Sequence, residues 1–219
     1  MSYGIVEVFR TLQGEGINAG RSAIFVRFGG CNLWSGVDRN RAADADRTGA
    51  TCPKFCDTDF ITRGKISCDG LVALIVNELP ADIVVFTGGE PALQLTAELV
   101  LACKAFGLET CIETNGTVRI SEDVLEVLEH VCVSPKLPDS QIVVREGTEL
   151  KVVTPRYSPN DYDELAKGFT FRFVSPEAVT TSVGKSQTIR LVEKAAAQWC
   201  MEHPPWRLSL QTHKHLEIP

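Results

Sequence analysis

Short β-branched and apolar runs alternate along the chain with stretches whose apolar residues recur at three- and four-residue spacing, a pattern that predicts strands followed by helices. Strands are expected at residues 6–10, 23–28, 83–86, 109–113, 131–134, 150–153, 171–174 and 207–210. Between them lie helices. Leu71, Leu74, Ile75 and Leu79 share one helical face, and Pro91 suits the first turn of a helix running to about Phe106 and stopped by Gly107. Ser121 begins a shorter helix through Leu128, and Ser158 with Pro159 looks like the cap and first residue of a helix ending at Gly168. Ile189, Val192, Ala196 and Trp199 mark a last long helix. The series predicts an α/β fold, a sheet or partial barrel in a single domain over residues 1–219. One segment breaks the rhythm: the run from Asp38 to Arg47 makes residues 32–51 a charged surface insertion.

Composition narrows the class. The 219 residues are 44% hydrophobic and 23% charged, an ordinary globular balance with no signature of disorder. No stretch approaches the roughly 20 apolar residues that cross a bilayer, and the start lacks a basic region followed by an apolar core. A cytoplasmic location without membrane contact is therefore expected. The net charge of −6 works against direct nucleic-acid binding, which needs a field of Lys and Arg. Eight cysteines in such a chain point to metal or packing rather than disulfides.

The cysteines divide. Cys31 follows a predicted strand directly, and Cys52 and Cys56 flank Pro53-Lys54-Phe55 after the insertion, so all three belong on loops beyond a strand's C-terminal end. Ligands of β/α architectures bind there, and soft thiolates at that end read as a metal or iron–sulfur site. Cys103, Cys111, Cys132 and Cys200 fall inside apolar elements as packing thiols. Cys68, near a helix start, is an alternative fourth ligand. Three thiolates leave one iron of a 4Fe-4S cluster open, whereas a structural zinc site needs a fourth protein ligand. Two further motifs sit at strand ends. Gly88-Gly89-Glu90-Pro91 permits close backbone approach to a ligand, with Glu90 able to accept from an ammonium group, or is a plain strand-to-helix turn. Glu113-Thr114-Asn115-Gly116 offers a carboxylate and an amide, or is an Asn-Gly turn. Arg27, on an otherwise apolar strand, needs either a buried partner carboxylate or a bidentate ligand carboxylate.

Cys31, Cys52 and Cys56, with Phe55 just before the last cysteine, and Gly88-Gly89-Glu90-Pro91 together resemble the radical S-adenosylmethionine (SAM) superfamily. Residues 11–16 (Thr-Leu-Gln-Gly-Glu-Gly), Arg27, residues 30–34, residues 56–60, Glu113-Thr114-Asn115-Gly116, Ser134-Pro135-Lys136 and residues 211–214 (Gln-Thr-His-Lys) are similar, over essentially the whole chain, to the 7-carboxy-7-deazaguanine synthase family. The resemblance implies an incomplete (β/α) barrel of the radical SAM type, usually a homodimer. It also implies ring contraction of 6-carboxy-5,6,7,8-tetrahydropterin to 7-carboxy-7-deazaguanine with release of ammonia, on the route to queuosine. Cys31, Cys52 and Cys56 would hold the 4Fe-4S cluster, fed by a flavodoxin or ferredoxin. Phe55, Gly89, Glu90, Glu113, Ser134, Pro135, Lys136, Ser175 and Glu177 would line SAM. Leu12, Gln13, Gly14, Arg27, Thr87, His213 and Pro219 would meet the substrate, and the hydroxyl of Thr58 a Mg2+ ion, with Asp57 and Asp59 behind it. The spacing departs from the family pattern, which has two residues between the last two cysteines where this chain has 53–55; a bulge at Pro53 would absorb the extra one. A radical activase acting on a partner's glycine, and a zinc-stabilised binding module, are the competing functions.

Overall fold

A computed structural model describes residues 1–56, 58–62, 64–177 and 185–219, with side chains of 185–189 excepted. The strands are β1 (Ser2–Leu12), β2 (Ser22–Phe28), β3 (Lys65–Ser67), β4 (Ile83–Gly88), β5 (Glu109–Thr114), β6 (His130–Val133), β7 (Gly147–Thr154), β8 (Phe169–Pro176) and β9 (Arg207–Leu208). They form one open sheet in the order β3-β1-β2-β4-β5-β6-β7-β8-β9. From β2 to β9 every pairing is parallel, while β1 pairs antiparallel with both β2 and β3. All eight expected strands are present. The edge strand β3 was not foreseen, since three residues carry no period.

The helices are α1 (Arg41–Thr48), α2 (Cys68–Asn77), α3 (Ala97–Lys104), α4 (Glu122–Leu125), α5 (Asp163–Ala166), α6 (Lys185–Glu202) and α7 (Thr212–Leu216). Alternation along the strands separates two faces. Ile24, Val26, Phe28, Val84, Phe86, Ile112, Val133, Leu150, Val152 and Val174 face the helices and make the main core with Leu71, Ile75, Leu99, Val100, Val124 and Leu165. On the other, concave face a small plug of Ala23, Ile83, Val85 and Cys111, with Phe25 against it, fills the N-terminal ends of the strands. The polar residues of the same parity, Arg27, Thr87, Glu113, Lys151 and Ser175, follow toward the C-terminal ends.

Three expected helices are shorter than their apolar pattern. The segment from Pro91 is a 3-10 turn, Pro91–Leu93, and α3 starts afresh behind Thr96, whose Oγ1 accepts from the Leu99 amide at 3.4 Å. Ser121 opens only the four residues of α4, and the segment from Pro159 splits into a 3-10 turn, Pro159–Tyr162, and α5. No helix separates β1 from β2, which form a hairpin-like pair, and a 3-10 turn at Asp139–Gln141 stands between β6 and β7. The insertion is more than a surface feature: α1 buries Asp44 and Ala45.

Candidate active site

A cavity of about 590 Å³ opens at the C-terminal ends of the strands, and Cys31, Cys52 and Cys56 all line it. The three thiols are free. Burial pushes Cys31 up and Cys52 up to about 12; the neighbouring sulfurs act in the same direction, while the Lys136 ammonium pulls Cys52 back. Cys52 and Cys56 come together on one turn, Cys52–Lys54 being 3-10 and the amides of Phe55 and Cys56 both donating to the Cys52 carbonyl at 3.1 and 2.8 Å. The three intervening residues are therefore taken up by a turn with Pro53 in its first positions, rather than by the expected bulge, and both cysteines at its ends line the cavity. Cys68 does not line the cavity; its thiol is buried at the start of α2, beside Tyr3 and Glu98. Among the described residues no three His, Cys, Asp or Glu side chains are grouped to hold one metal ion.

The paired glycines bring backbone onto backbone. A Cβ at Gly88 would stand 2.2 Å from the Phe28 carbonyl oxygen and one at Gly89 1.9 Å from that of Gly30, so this loop lies directly on the chain leading into Cys31. The Gly89 and Glu90 amides donate to the Phe28 and Gly30 carbonyls at 3.1 and 2.9 Å. Gly89 lines the cavity, but the Glu90 carboxylate does not face it. That carboxylate, fully buried, accepts from the Ala92 amide at 3.0 Å, the Thr114 hydroxyl at 2.7 Å and the Asn115 amide at 2.8 Å. Glu90 is thus a strut between the ends of β4 and β5, and burial raises its pKa against those donors. Asn115 in turn donates to Asn32 at 3.1 Å, tying the Asn-Gly turn to the residue after Cys31.

Deeper on the concave face lies an ionic network that sequence reasoning missed. The Lys151 ammonium pairs with Glu15 and, at 3.3 Å, with Glu113. Gln13 donates to Glu113 at 3.0 Å and Gln211 to Glu15 at 2.7 Å. Burial alone would raise the Glu15 carboxyl, yet the Lys151 charge and the two hydrogen bonds hold it below its usual value; Lys151 is held well above its own despite burial. The available signal was a lysine between Leu150 and Val152 in an apolar strand, the same signal read at Arg27.

Thr58, Thr87, Ser134, Lys136, Ser175 and Glu177 line the cavity with Phe55. Lys136 donates to the Ser134 carbonyl at 3.0 Å and its ammonium lies 6.0 Å from the Tyr157 ring; burial lowers its pKa. Arg156, also missed, lies 4.2 Å over Phe55 and bonds both Glu177 oxygens at 2.9 and 2.8 Å. The Trp34 indole nitrogen is buried at the cavity wall without a partner. Leu12, Gln13, Gly14, Arg27, Pro135, His213 and Pro219 stand outside the lining. Arg27 shares a face and register with Thr87, but its guanidinium bonds Glu7 at 2.7 Å. His213 packs against Gly14, Thr212 donates to the Gly14 carbonyl at 3.1 Å, and the Thr11 hydroxyl donates to the Pro219 carbonyl at 2.7 Å, so the C-terminal segment straps the β1–β2 connection. Asp59 accepts from the Ile61 amide at 3.0 Å as a turn would require; Asp57 lies outside the described residues.

No protein-family model matches the chain. The 7-carboxy-7-deazaguanine synthase of Burkholderia multivorans is 46% identical over 229 residues, covering 100% of both chains. Those of Nitratidesulfovibrio vulgaris and Bordetella pertussis are 44% and 43% identical, again over 100% of both. Among solved structures, the crystal structure of QueE from Escherichia coli aligns with a TM-score of 0.68 at 25% identity, covering 97% of this chain and 95% of that one.

Proposed function

This chain belongs to the 7-carboxy-7-deazaguanine synthase family of radical SAM enzymes, and from that membership we infer that it contracts the ring of 6-carboxy-5,6,7,8-tetrahydropterin to 7-carboxy-7-deazaguanine with release of ammonia. The observation that carries the reading onto these residues is the convergence of three free thiols and a buried Lys–carboxylate network on one cavity. Cys31, Cys52 and Cys56 suit a 4Fe-4S cluster with an open iron: they are soft donors that line one cavity, close enough for the Cys56 sulfur to help raise the pKa of Cys31 and of Cys52. When bound, the cluster and SAM supply the one-electron chemistry that removes hydrogen from substrate C6 and returns it.

The chain's own residues bind, orient and exclude water. Gly89, Phe55, Ser134, Lys136, Ser175 and Glu177 suit the SAM side, supported by their shared lining. Glu90 and Pro135 support that wall from within, and Glu113 joins it to the ionic network. Lys151, Glu15 and Glu113 set fixed donors and acceptors, which match a pterin ring that carries both. Thr87 lines the substrate side; Gln13 would act on it through its bond to Glu113, Leu12, Gly14, His213 and Pro219 would back it from the strapped β1–β2 connection, and Arg27 would exchange Glu7 for the substrate carboxylate. Thr58 gives Mg2+ a hard oxygen donor at the cavity edge. The domain assignment is one radical SAM domain over 1–219, with the insertion at about 32–51. A homodimer, a flavodoxin or ferredoxin donor and a cytoplasmic location complete the proposal. No helix among the described residues is long and apolar enough to cross a membrane.

Anaerobic reconstitution with iron and sulfide tests it. About four irons per chain, an EPR spectrum altered by SAM and product formed from the tetrahydropterin are expected. Colourless protein carrying one zinc and indifferent to SAM overturns the reading.

A further inference from the structure

Twenty residues separate Cys31 from Cys52, and the long closure leaves the second and third thiols to be positioned by something other than chain connectivity. We propose that Arg41, the first residue of α1 in the insertion, is the positioning residue that fixes the Cys52–Cys56 turn for cluster binding; this rests on the cluster assignment above. Its guanidinium is used on every side. Nη1 donates to the Pro53 carbonyl at 2.6 Å, Nη1 and Nη2 donate to the Cys56 carbonyl at 3.3 and 3.2 Å, and Nε donates to Asp38 at 2.9 Å. Its plane lies over the Trp34 ring, 4.1 Å from the centroid.

The geometry selects arginine. Within the turn the Cys52 carbonyl is already taken by two amides, and the planar fork of Arg41 serves the Pro53 and Cys56 carbonyls together while its face rests on Trp34. A lysine ammonium could reach both carbonyls, as Nη1 does, but would forfeit the Nη2 bond to Cys56, the Nε bond to Asp38 and the guanidinium contact over the Trp34 ring. The other end of the insertion is equally anchored: Asp44 accepts from the Ser35 amide at 3.0 Å and the Ser35 hydroxyl at 2.6 Å, and Gly49 ends α1 with φ 73°. Trp34 follows Cys31 by three positions, so Arg41 joins the segment after the first thiol to the turn that carries the other two. The charged insertion is a brace for the cysteine loops.

The test compares wild type, Arg41→Gln and Arg41→Lys, with the exposed neighbour Arg39→Gln as control. In cluster-free protein, alkylation by iodoacetamide is followed at each cysteine by peptide mass spectrometry. Loss of charge-assisted hydrogen bonds predicts that Cys52 and Cys56 react about tenfold faster in Arg41→Gln, with Cys31 nearly unchanged and Arg41→Lys between. In reconstituted protein the variant should lose iron to a chelator faster and show a weakened EPR response to SAM. Wild-type rates at Cys52 and Cys56 overturn the proposal, and so does equal acceleration at Cys31, which reports general loosening. If Arg41→Gln does not fold, Arg41→Lys decides: wild-type behaviour overturns the proposal. Wild-type protein that takes up no cluster defeats the functional reading instead, and the alkylation rates still judge Arg41.

Discussion

Glu90 and Gly89 stand side by side and do different work. The carboxylate of Glu90 accepts three hydrogen bonds in full burial, and Thr114 supplies the only hydroxyl among them. Thr114→Val removes that donor while keeping shape, and because the bond is to a buried carboxylate it should cost about 1.5–3 kcal/mol in urea unfolding of cluster-free protein. Gly89 faces backbone at 1.9 Å, where no flexible side chain can yield. Gly89→Ala should therefore destabilise by about 1–3 kcal/mol and lower the iron retained per chain, because the displaced segment leads into Cys31. Stability lost with full iron retention would confine Gly89 to a packing role. The motif was legible as a strand end with glycines; what the glycines approach was not, because the partner backbone lies almost sixty residues earlier.

At the scale of elements, β7 carries a charge into the interior and β5 and the β1–β2 connection neutralise it. Lys151→Met leaves Glu15 and Glu113 without their cation, and breaking a buried pair predicts a loss of about 3–5 kcal/mol, measured by denaturant unfolding at neutral pH. The network also gives a direction in acid. The Glu15 carboxyl is held below 4.5 in the folded chain, so its contribution is complete above that value and is lost as pH falls through the lowered one. Stability followed below pH 4.5 should decline, and Glu15→Gln should flatten that decline; an unchanged slope would remove Glu15 from the network. Strands were easier to place than helices for a related reason. Their apolar runs are short and set by burial, while Thr96 and Glu90 act as caps that interrupt an apolar pattern which continues past them.

Across the whole molecule, the C-terminal strap closes the open side of the β1–β2 connection. His213 sits on Gly14 and Pro219 accepts from Thr11, so removing residues 217–219 should lower turnover of the tetrahydropterin about tenfold while changing stability by less than ~1 kcal/mol, as expected of exposed contacts. Equal turnover would strip Pro219 of its assigned role. The chain by itself determined the alternation of strands and helices, the three cysteines at strand ends and the family motifs, because these depend on local period and residue type. Only the tertiary structure decided that Cys52, not Cys68, shares the cavity with Cys31 and Cys56, that Glu90 is a strut, that Arg27 meets Glu7, and that Lys151 finds Glu15 across 136 positions. Each of those depends on which distant segments the parallel sheet brings to one end, and side-chain pairing across such separations leaves no local period to read.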